Sequence, residues 1–87
     1  MRPRAKRELT KLARHDPTAG KAVTDVIDAL ASDPRPLGAV PITGHRPYLR
    51  VRSGDYRVIY AVDDSARVVQ VARIGNRKEV YRNLGNL

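Results

Sequence analysis

The segment "YLRVRSGDYRVIYAVDDSARVVQVARI", residues 48–74, contains three stretches of alternating apolar and polar residues separated by two short polar sequences. The separators, SGD at 53–55 and DDS at 63–65, consist of residues that favour tight turns. A period of two is typical of strands whose two faces meet different surroundings. The segment therefore predicts an antiparallel meander of three strands.

The chain before residue 34 instead shows a helical period. Residues 2–14 carry an apolar stripe, and Asp16 followed by Pro17 predicts the N-cap and first residue of a second helix. The apolar positions of the first helix are Ala5, Leu9, Leu12 and Ala13, and those of the second are Ala22, Val23, Val26, Ile27 and Leu30. Because only a short interruption separates the helices, we expect an antiparallel hairpin.

The remaining segments connect or end these elements. Residues 34–47 contain four prolines and two glycines, which predicts a loop, and residues 77–84 predict a short C-terminal helix or turn. The order α-α-β-β-β-α predicts a single α+β domain over residues 1–87. In it the helical hairpin packs on one face of the meander and a short C-terminal helix follows.

The composition favours a negatively charged partner. The chain has 17 basic and nine acidic residues, a net charge of +8, with six basic residues and one acidic residue in positions 1–14. Nucleic acid and an acidic protein both fit, and a basic surface that only maintains solubility is the alternative.

Other classes of function are disfavoured. Without cysteine, and with only His15 and His45, neither a disulfide framework nor a thiolate site is possible, and we expect no metal or cofactor. The sequence lacks an apolar run of 18 residues and the apolar segment of a signal peptide. We therefore expect a cytoplasmic protein without a membrane contact.

The alternation in the meander predicts a basic face. Arg50 and Arg52 alternate with Leu49 and Val51, and the helices should cover the apolar side. In the next strand Arg57 then falls on the same free face as Arg50 and Arg52. A cationic patch of this kind suits a phosphodiester backbone.

Two residues near the C-terminus extend this prediction. Arg77 follows the third strand, and Tyr81 lies one helical turn later if the segment is helical. Tyr81 would offer a surface on which a base can stack.

Each of these residues also has a structural explanation. The strand arginines can form a solvated face, and Arg57 can pair with Asp55 or Asp63 at the turns. Arg77 and Lys78 can protect the edge of the sheet, and Tyr81 can cover the core.

Taken together, the motifs resemble the RelE/ParE superfamily of toxins from toxin–antitoxin systems. The motifs are "GDYRVIY" at 54–60 and "IGNRKEVY" at 74–81. The preceding helical segments "AKRELTKLARHDP" and "VIDALASDPRP" are also similar, so the resemblance covers most of the chain.

The resemblance implies a ribosome-dependent mRNA endonuclease of the RelE type. In such an enzyme the 2′-hydroxyl of the RNA attacks the adjacent phosphate without a metal ion. The products are a cyclic phosphate and a free 5′-hydroxyl. The site must orient the nucleotide, remove the proton and stabilise the phosphoryl charge.

The resemblance also assigns roles to residues. Arg57 matches the strand arginine that holds the scissile phosphate, and Arg77 matches the arginine that clamps the phosphate or stabilises the leaving group. Tyr81 matches the C-terminal tyrosine, which acts as a base or as a stacking platform. The RNA-binding positions are Arg50, Arg52 and Lys78.

The chain departs from the family pattern at three places. Arg50 stands where many members have a lysine, and arginine stays protonated, so it can position and neutralise but cannot act as a base. Asn76 stands where many relatives have a histidine, which leaves Tyr81 as the candidate proton acceptor. The usual first strand has no counterpart, so the sheet has an open edge, a neighbour fills it, or the start lies upstream.

Two alternatives remain: a ParE-type inhibitor of DNA gyrase and a catalytically inactive basic module that binds RNA or protein. The resemblance implies as partners an acidic antitoxin protein that folds on binding and a ribosome carrying mRNA. Operator DNA would be contacted only indirectly, through the antitoxin.

Overall fold

The computed structural model describes residues 1–82, Leu84 and Leu87. It begins with two helices, α1 (Pro3–His15) and α2 (Pro17–Ser32). The predicted cap of α2 is confirmed, because a side-chain oxygen of Asp16 accepts a hydrogen bond from the Ala19 N–H at 3.0 Å. No helix in the described part of the chain is long and apolar enough to cross a membrane.

A glycine allows the two helices to approach closely. A Cβ atom on Gly20 of α2 would lie 2.8 Å from Cα and 2.9 Å from Cβ of Ala13 in α1. Only glycine fits this contact without moving a backbone, so the helical hairpin depends on the pair.

The strands form one antiparallel sheet in the order β1-β2-β3-β4, which confirms the predicted α+β fold. Their bounds are β1 (Val40–Pro41), β2 (Leu49–Ser53), β3 (Tyr56–Asp63) and β4 (Val68–Asn76). The three predicted strands are β2 to β4. The prediction missed β1, which lies within the 34–47 segment expected to be a loop.

β1 has no recognisable sequence pattern because it is two residues long and contains a proline. Val40 pairs with Arg50, and Pro41 pairs with Leu49. Proline lacks an N–H and is tolerated at the edge of a sheet, where that group would have no partner strand.

The main core lies between the helices and one face of the sheet, as the alternation predicts. Val51, Val58 and Tyr60 point from the strands toward Leu12 and Val23 of the helices. Tyr60 is fully buried, and its hydroxyl donates a hydrogen bond to the Pro34 carbonyl at 2.7 Å, which ties the end of α2 to β3.

A β-bulge in β4 changes which residues face the core. Ile59 pairs with Arg73 but Tyr60 pairs with Val71, so Ala72 has no partner in β3. Both Val71 and Ile74 therefore reach the helix-side core. Strict alternation would have placed them on opposite faces.

The outer edge of β4 is partly covered by the N-terminal region. The Arg2 N–H donates to the Val71 carbonyl at 2.9 Å, and the Glu8 carboxylate accepts from the Ile74 N–H at 3.0 Å. At these two positions α1 and the residue before it satisfy backbone groups that a further strand would otherwise pair.

Of the helix or turn predicted for residues 77–84, the described residues show turns. Residues 77–82 form successive turns, and the part of the prediction on Asn83 lies outside the described residues. Val80 and Leu84 pack with Ile59 in a second apolar cluster on the sheet face opposite the helices. Residues 77–82 fold across the end of the sheet because Val80 packs on the apolar surface formed by Ile59.

Candidate functional site

The three strand arginines lie on the sheet face opposite the helices. Arg50 pairs with Ile59 and Arg52 pairs with Arg57 across β2 and β3. Ile59 belongs to the second apolar cluster, which places the paired Arg50 on that same side. Arg57 lies two residues before Ile59 on β3 and so also faces this side. The face predicted to be basic thus contains all three arginines.

Arg57 is held over the turn between β2 and β3. Its Nη1 donates to the carbonyl oxygens of Gly54 and Tyr56, each at 3.0 Å. A guanidinium has five N–H donors in a rigid fork. Both contacts use Nη1, so the donors on Nε and Nη2 form no hydrogen bond with the described residues and remain available to a ligand.

Arg52 and Arg57 form a like-charge pair. Side chains at directly opposite positions of an antiparallel pair have Cβ atoms about 4.5–5.5 Å apart. Among the described residues no carboxylate forms an ion pair with either of them or with Arg50. Asp55 and Asp63, the partners considered for Arg57, do not fill this role. The face consequently carries uncompensated positive charge.

Arg77 and Lys78 lie beside the same turn. The Arg77 N–H donates to the Asp55 carbonyl at 2.8 Å, so its backbone is tied to the β2–β3 turn. The side-chain oxygen of Asn76 accepts from the Lys78 N–H at 2.9 Å and shapes the turn that follows β4. Both basic side chains are exposed.

Tyr81 belongs to the segment that folds across this face. A Cβ atom on Gly75 would lie 3.3 Å from Cβ of Val80, so the segment packs against the end of β4. Gly75 pairs with Arg57, which places this contact on the arginine face. Val80 is buried, whereas the adjacent Tyr81 is 38% exposed. Tyr81 therefore follows directly after a residue that packs on the arginine face, and it lies within turns.

A buried ion pair that was not predicted from the sequence supports this segment. Arg73 is 6% exposed, and its Nε donates to both Glu8 carboxylate oxygens at 3.2 and 3.3 Å. Its Nη1 donates to the Arg82 carbonyl at 3.2 Å. The only sequence sign was one charge within the apolar run "VQVARI".

One cleft of about 430 Å³ adjoins the end of β4 and is lined by Tyr56, Gly75, Asn76, Glu79 and Val80 among others, but by none of the predicted site residues. Another cleft of about 540 Å³ between α2 and the β3–β4 hairpin is lined by Ile27, Val62, Asp64 and Val69 among others, and by none of the predicted site residues. Polyanion binding relies on exposed cations and needs no enclosed cavity. The arginine face is therefore the better candidate site.

The strongest perturbations of pKa also lie outside the arginine face. The Arg35 guanidinium bonds both carboxylate oxygens of Asp64 at 3.0 Å and lowers the pKa of that carboxyl. Burial raises the pKa of the Tyr60 hydroxyl, and the positive charge of Arg35 offsets part of this effect. These groups join α2 to the β3–β4 turn and have a structural role.

The arginine face can hold and stabilise a phosphate. Arg57 has unused donors, and Arg52 lies directly opposite it. Guanidinium groups match phosphate oxygens in bidentate geometry and remain charged at any working pH. None of them can remove a proton, so proton transfer requires another group, of which Tyr81 is the sequence candidate.

Two comparisons with known proteins identify relatives of the chain. The family model described as ParE toxin of type II toxin-antitoxin system, parDE, matches residues 1–81. Toxin RelE of Mycobacterium tuberculosis is 35% identical over 79 residues, which cover 90% of this chain and 78% of that protein.

Proposed function

Because the chain belongs to the RelE/ParE family of type II toxin–antitoxin toxins, we propose that it is an endonuclease that cuts mRNA in the ribosome. The similarity to a protein named Toxin RelE supports this choice within the family. The structural observation that carries it is the opposed pair Arg52 and Arg57, which lacks an acidic partner among the described residues.

In the proposed reaction the 2′-oxygen attacks the adjacent phosphorus and the bond from phosphorus to the 5′-oxygen breaks. Arg57 holds the non-bridging oxygens of the scissile phosphate through Nε and Nη2. Negative charge develops there as the fifth bond to phosphorus forms, so a fixed guanidinium binds the transition state more strongly than the ground state.

Arg77 and Tyr81 complete the proposed chemistry. Arg77 stabilises the departing 5′-oxygen, which takes a proton from water to give the 5′-hydroxyl, and the Tyr81 oxygen takes the proton of the 2′-hydroxyl and returns it to the solvent. Arg50, Arg52 and Lys78 bind the neighbouring RNA backbone. The attachment of Arg77 to the Asp55 carbonyl supports this assignment, since it keeps the residue near Arg57.

The test is translation in vitro with wild-type protein, Arg57→Ala and Arg57→Lys, followed by mapping of the message ends. We expect Arg57→Ala to reduce the cleavage rate at least about 100-fold, as loss of a charge-stabilising donor does elsewhere. Arg57→Lys should recover only part of the rate, because lysine lacks the planar fork. Lys21→Ala, at an exposed position on α2, is the matched control and should cut normally.

A second variant separates the two roles of Tyr81. Tyr81→Phe keeps a ring for stacking and loses the proton acceptor. Slow cleavage with an unchanged concentration dependence would support the base, whereas wild-type cleavage by Tyr81→Phe would exclude it. Full activity of Arg57→Ala would refute the phosphate site as a whole.

The match to the ParE family model supports a second candidate, a non-catalytic inhibitor of DNA gyrase. Expression would then cause DNA damage while messages stay intact. A folded protein with neither effect would indicate an inactive binding module.

The family implies an antitoxin partner. We propose that this partner is acidic, because the chain carries a net charge of +8 and its arginine face lacks internal neutralisation among the described residues. The affinity of the complex should fall as salt increases; an affinity independent of salt would contradict the electrostatic basis. Contact with operator DNA would run through the antitoxin.

A further inference from the structure

A second cationic surface covers the outer side of α1. It comprises Arg4, Arg7, Lys11 and Arg14, spaced i, i+3, i+7 and i+10, and all four are exposed. At 3.6 residues per turn these positions fall within an arc of roughly 80°. They lie away from Ala5 and Leu12, which α1 buries in the helix-side core.

The charges of this α1 surface are not neutralised within the described residues. The one acid of α1 is Glu8, which is bound to Arg73 and to the Ile74 N–H. In the same part of the chain no ion pair involves a basic residue of α1, and Asp25 pairs with Lys21 within α2. Like charges three or four residues apart destabilise a helix by about 0.2–0.5 kcal/mol per pair. The cations of the α1 surface therefore do not stabilise the fold.

This α1 surface is separate from the arginine face. α1 packs on the side of the sheet that contains Val58 and Tyr60, and the strand arginines lie on the other side. A shallow cleft of about 440 Å³ runs along the α1 surface and is lined by Lys6, Arg7, Thr10, Lys11, Arg14 and His15. A ligand held there would not occupy the proposed cleavage site.

The chemistry of the α1 surface identifies the kind of ligand. The surface has no exposed large apolar side chain, whereas protein partners usually bury an apolar centre. It has no tyrosine, phenylalanine or tryptophan on which the bases of a single strand could stack. What it offers is a straight row of cations about 15 Å long from Arg4 to Arg14, at a rise of 1.5 Å per residue. Such a row fits the regularly spaced phosphates of a double helix.

We propose that the outer surface of α1 binds the sugar–phosphate backbone of double-helical RNA. The choice of RNA rests on the proposed function, because the ribosome presents folded RNA to a toxin that acts in it. The α1 surface would dock the protein while the arginine face reaches the message.

The test compares two variants of equal net charge. Arg7→Gln/Lys11→Gln/Arg14→Gln removes three charges from α1, and glutamine preserves helix propensity. The control, Lys21→Gln/Arg46→Gln/Arg67→Asn, removes three exposed charges elsewhere, and asparagine tolerates the positive φ of 54° at position 67. Circular dichroism verifies that both variants fold.

The readout is the affinity for a 20-base-pair RNA duplex over a range of salt concentrations, measured by fluorescence anisotropy. We expect the α1 variant to bind at least about tenfold more weakly at low salt. Its slope of log affinity against log salt should fall by about 2–3, because each phosphate that is no longer neutralised accounts for roughly 0.7–0.9 of the slope. The control should keep the wild-type slope. Equal losses in both variants, no loss in either, or no duplex binding by the wild type would overturn the proposal.

Two further ligands check the identity of the partner. A DNA duplex of the same sequence and polyglutamate are titrated with the same three proteins. A loss confined to DNA or to polyglutamate, with RNA binding unchanged, would overturn the assignment to RNA. The assay contains neither ribosome nor message, so its outcome is independent of whether Arg57 supports cleavage.

Discussion

Arg52 and Arg57 face each other across β2 and β3 with no carboxylate partner among the described residues. Like charges at opposite strand positions are destabilising. The Arg57 side chain nevertheless loses conformational entropy, because its guanidinium donates to the Gly54 and Tyr56 carbonyls and is fixed at the turn. Fixing Arg57 beside a like charge at some cost in stability is what the proposed phosphate site requires.

Replacing one member of this pair should stabilise the protein and weaken its activity. We expect Arg52→Thr to raise the free energy of unfolding by about 0.2–1 kcal/mol in urea denaturation, since repulsion is removed and threonine suits a strand. Cleavage of mRNA should slow. Arg50→Thr is the matched control because Arg50 faces Ile59 and should show no such gain. A loss of stability in Arg52→Thr would contradict the repulsion.

The raised pKa of Tyr60 predicts that the free energy of unfolding depends on pH in the alkaline range. Burial raises the pKa of Tyr60 above the value near 10 that it has in the unfolded chain. Above pH 10 the unfolded state therefore loses a proton that the folded state keeps, and the free energy of unfolding falls. The contribution of Tyr60 is complete below pH 10 and is lost as pH rises through the folded-state pKa. Wild type should thus lose stability more steeply than Tyr60→Phe above pH 10; parallel curves would exclude the effect.

Among the elements, the helical hairpin and the sheet depend on different features. α1 and α2 come together at Ala13 and Gly20, where there is no room for a further Cβ. The sheet relies on the bulge at Ala72, which directs both Val71 and Ile74 into the core. The bulge also leaves Gly75 opposite Arg57, so the element that completes the core also shapes the site.

Replacing Gly20 with alanine should have two opposing effects on the stability of the protein. Alanine improves helix propensity by about 1 kcal/mol, but its Cβ would lie 2.8 Å from Cα of Ala13. Overpacking typically costs about 1–3 kcal/mol, and here the clash involves backbone. We expect Gly20→Ala to lower the urea midpoint. Ala22→Gly, at an exposed position in α2, measures the effect of helix propensity alone. If Gly20→Ala instead raised the urea midpoint, the two helices would be able to move apart without cost.

Across the molecule as a whole, one ion pair connects three parts of the chain. Glu8 of α1 binds Arg73 and the Ile74 N–H of β4, and Arg73 binds the carbonyl of Arg82. The helix layer, the sheet and residues 77–82 thus share one polar junction. The position of Tyr81 next to Arg82 makes this junction relevant to the proposed site.

Glu8→Gln should destabilise the protein and release residues 77–82. Glutamine can still accept from Ile74, but Arg73, at 6% exposure, would keep a charge without its counterion. We expect a cost of roughly 2–4 kcal/mol, since Glu8 is only partly buried. Asp25→Asn breaks an exposed pair with Lys21 and should cost at most about 0.5 kcal/mol. Hydrogen exchange at residues 77–82 should accelerate in Glu8→Gln only; unchanged exchange there would show that Arg73 does not hold this segment.

Local sequence patterns were enough to predict the two helices, the three main strands and the separation of apolar and basic faces. These features follow from periodicity and turn chemistry within each segment, which need no distant partner. Asp16 at the start of α2 and the alternation around Arg50 and Arg52 are direct examples. The basic face was predictable for the same reason.

Packing between distant segments determined which residues contact one another. β1 exists because Val40 and Pro41 find β2, and the Glu8–Arg73 pair joins residues 65 positions apart. Residues 77–82, predicted as a helix or a turn, form turns because Val80 is buried against Gly75 and Ile59. Periodicity within one segment does not encode such contacts. "GDYRVIY" thus placed Arg57 on its face, whereas packing determined which groups lie beside it.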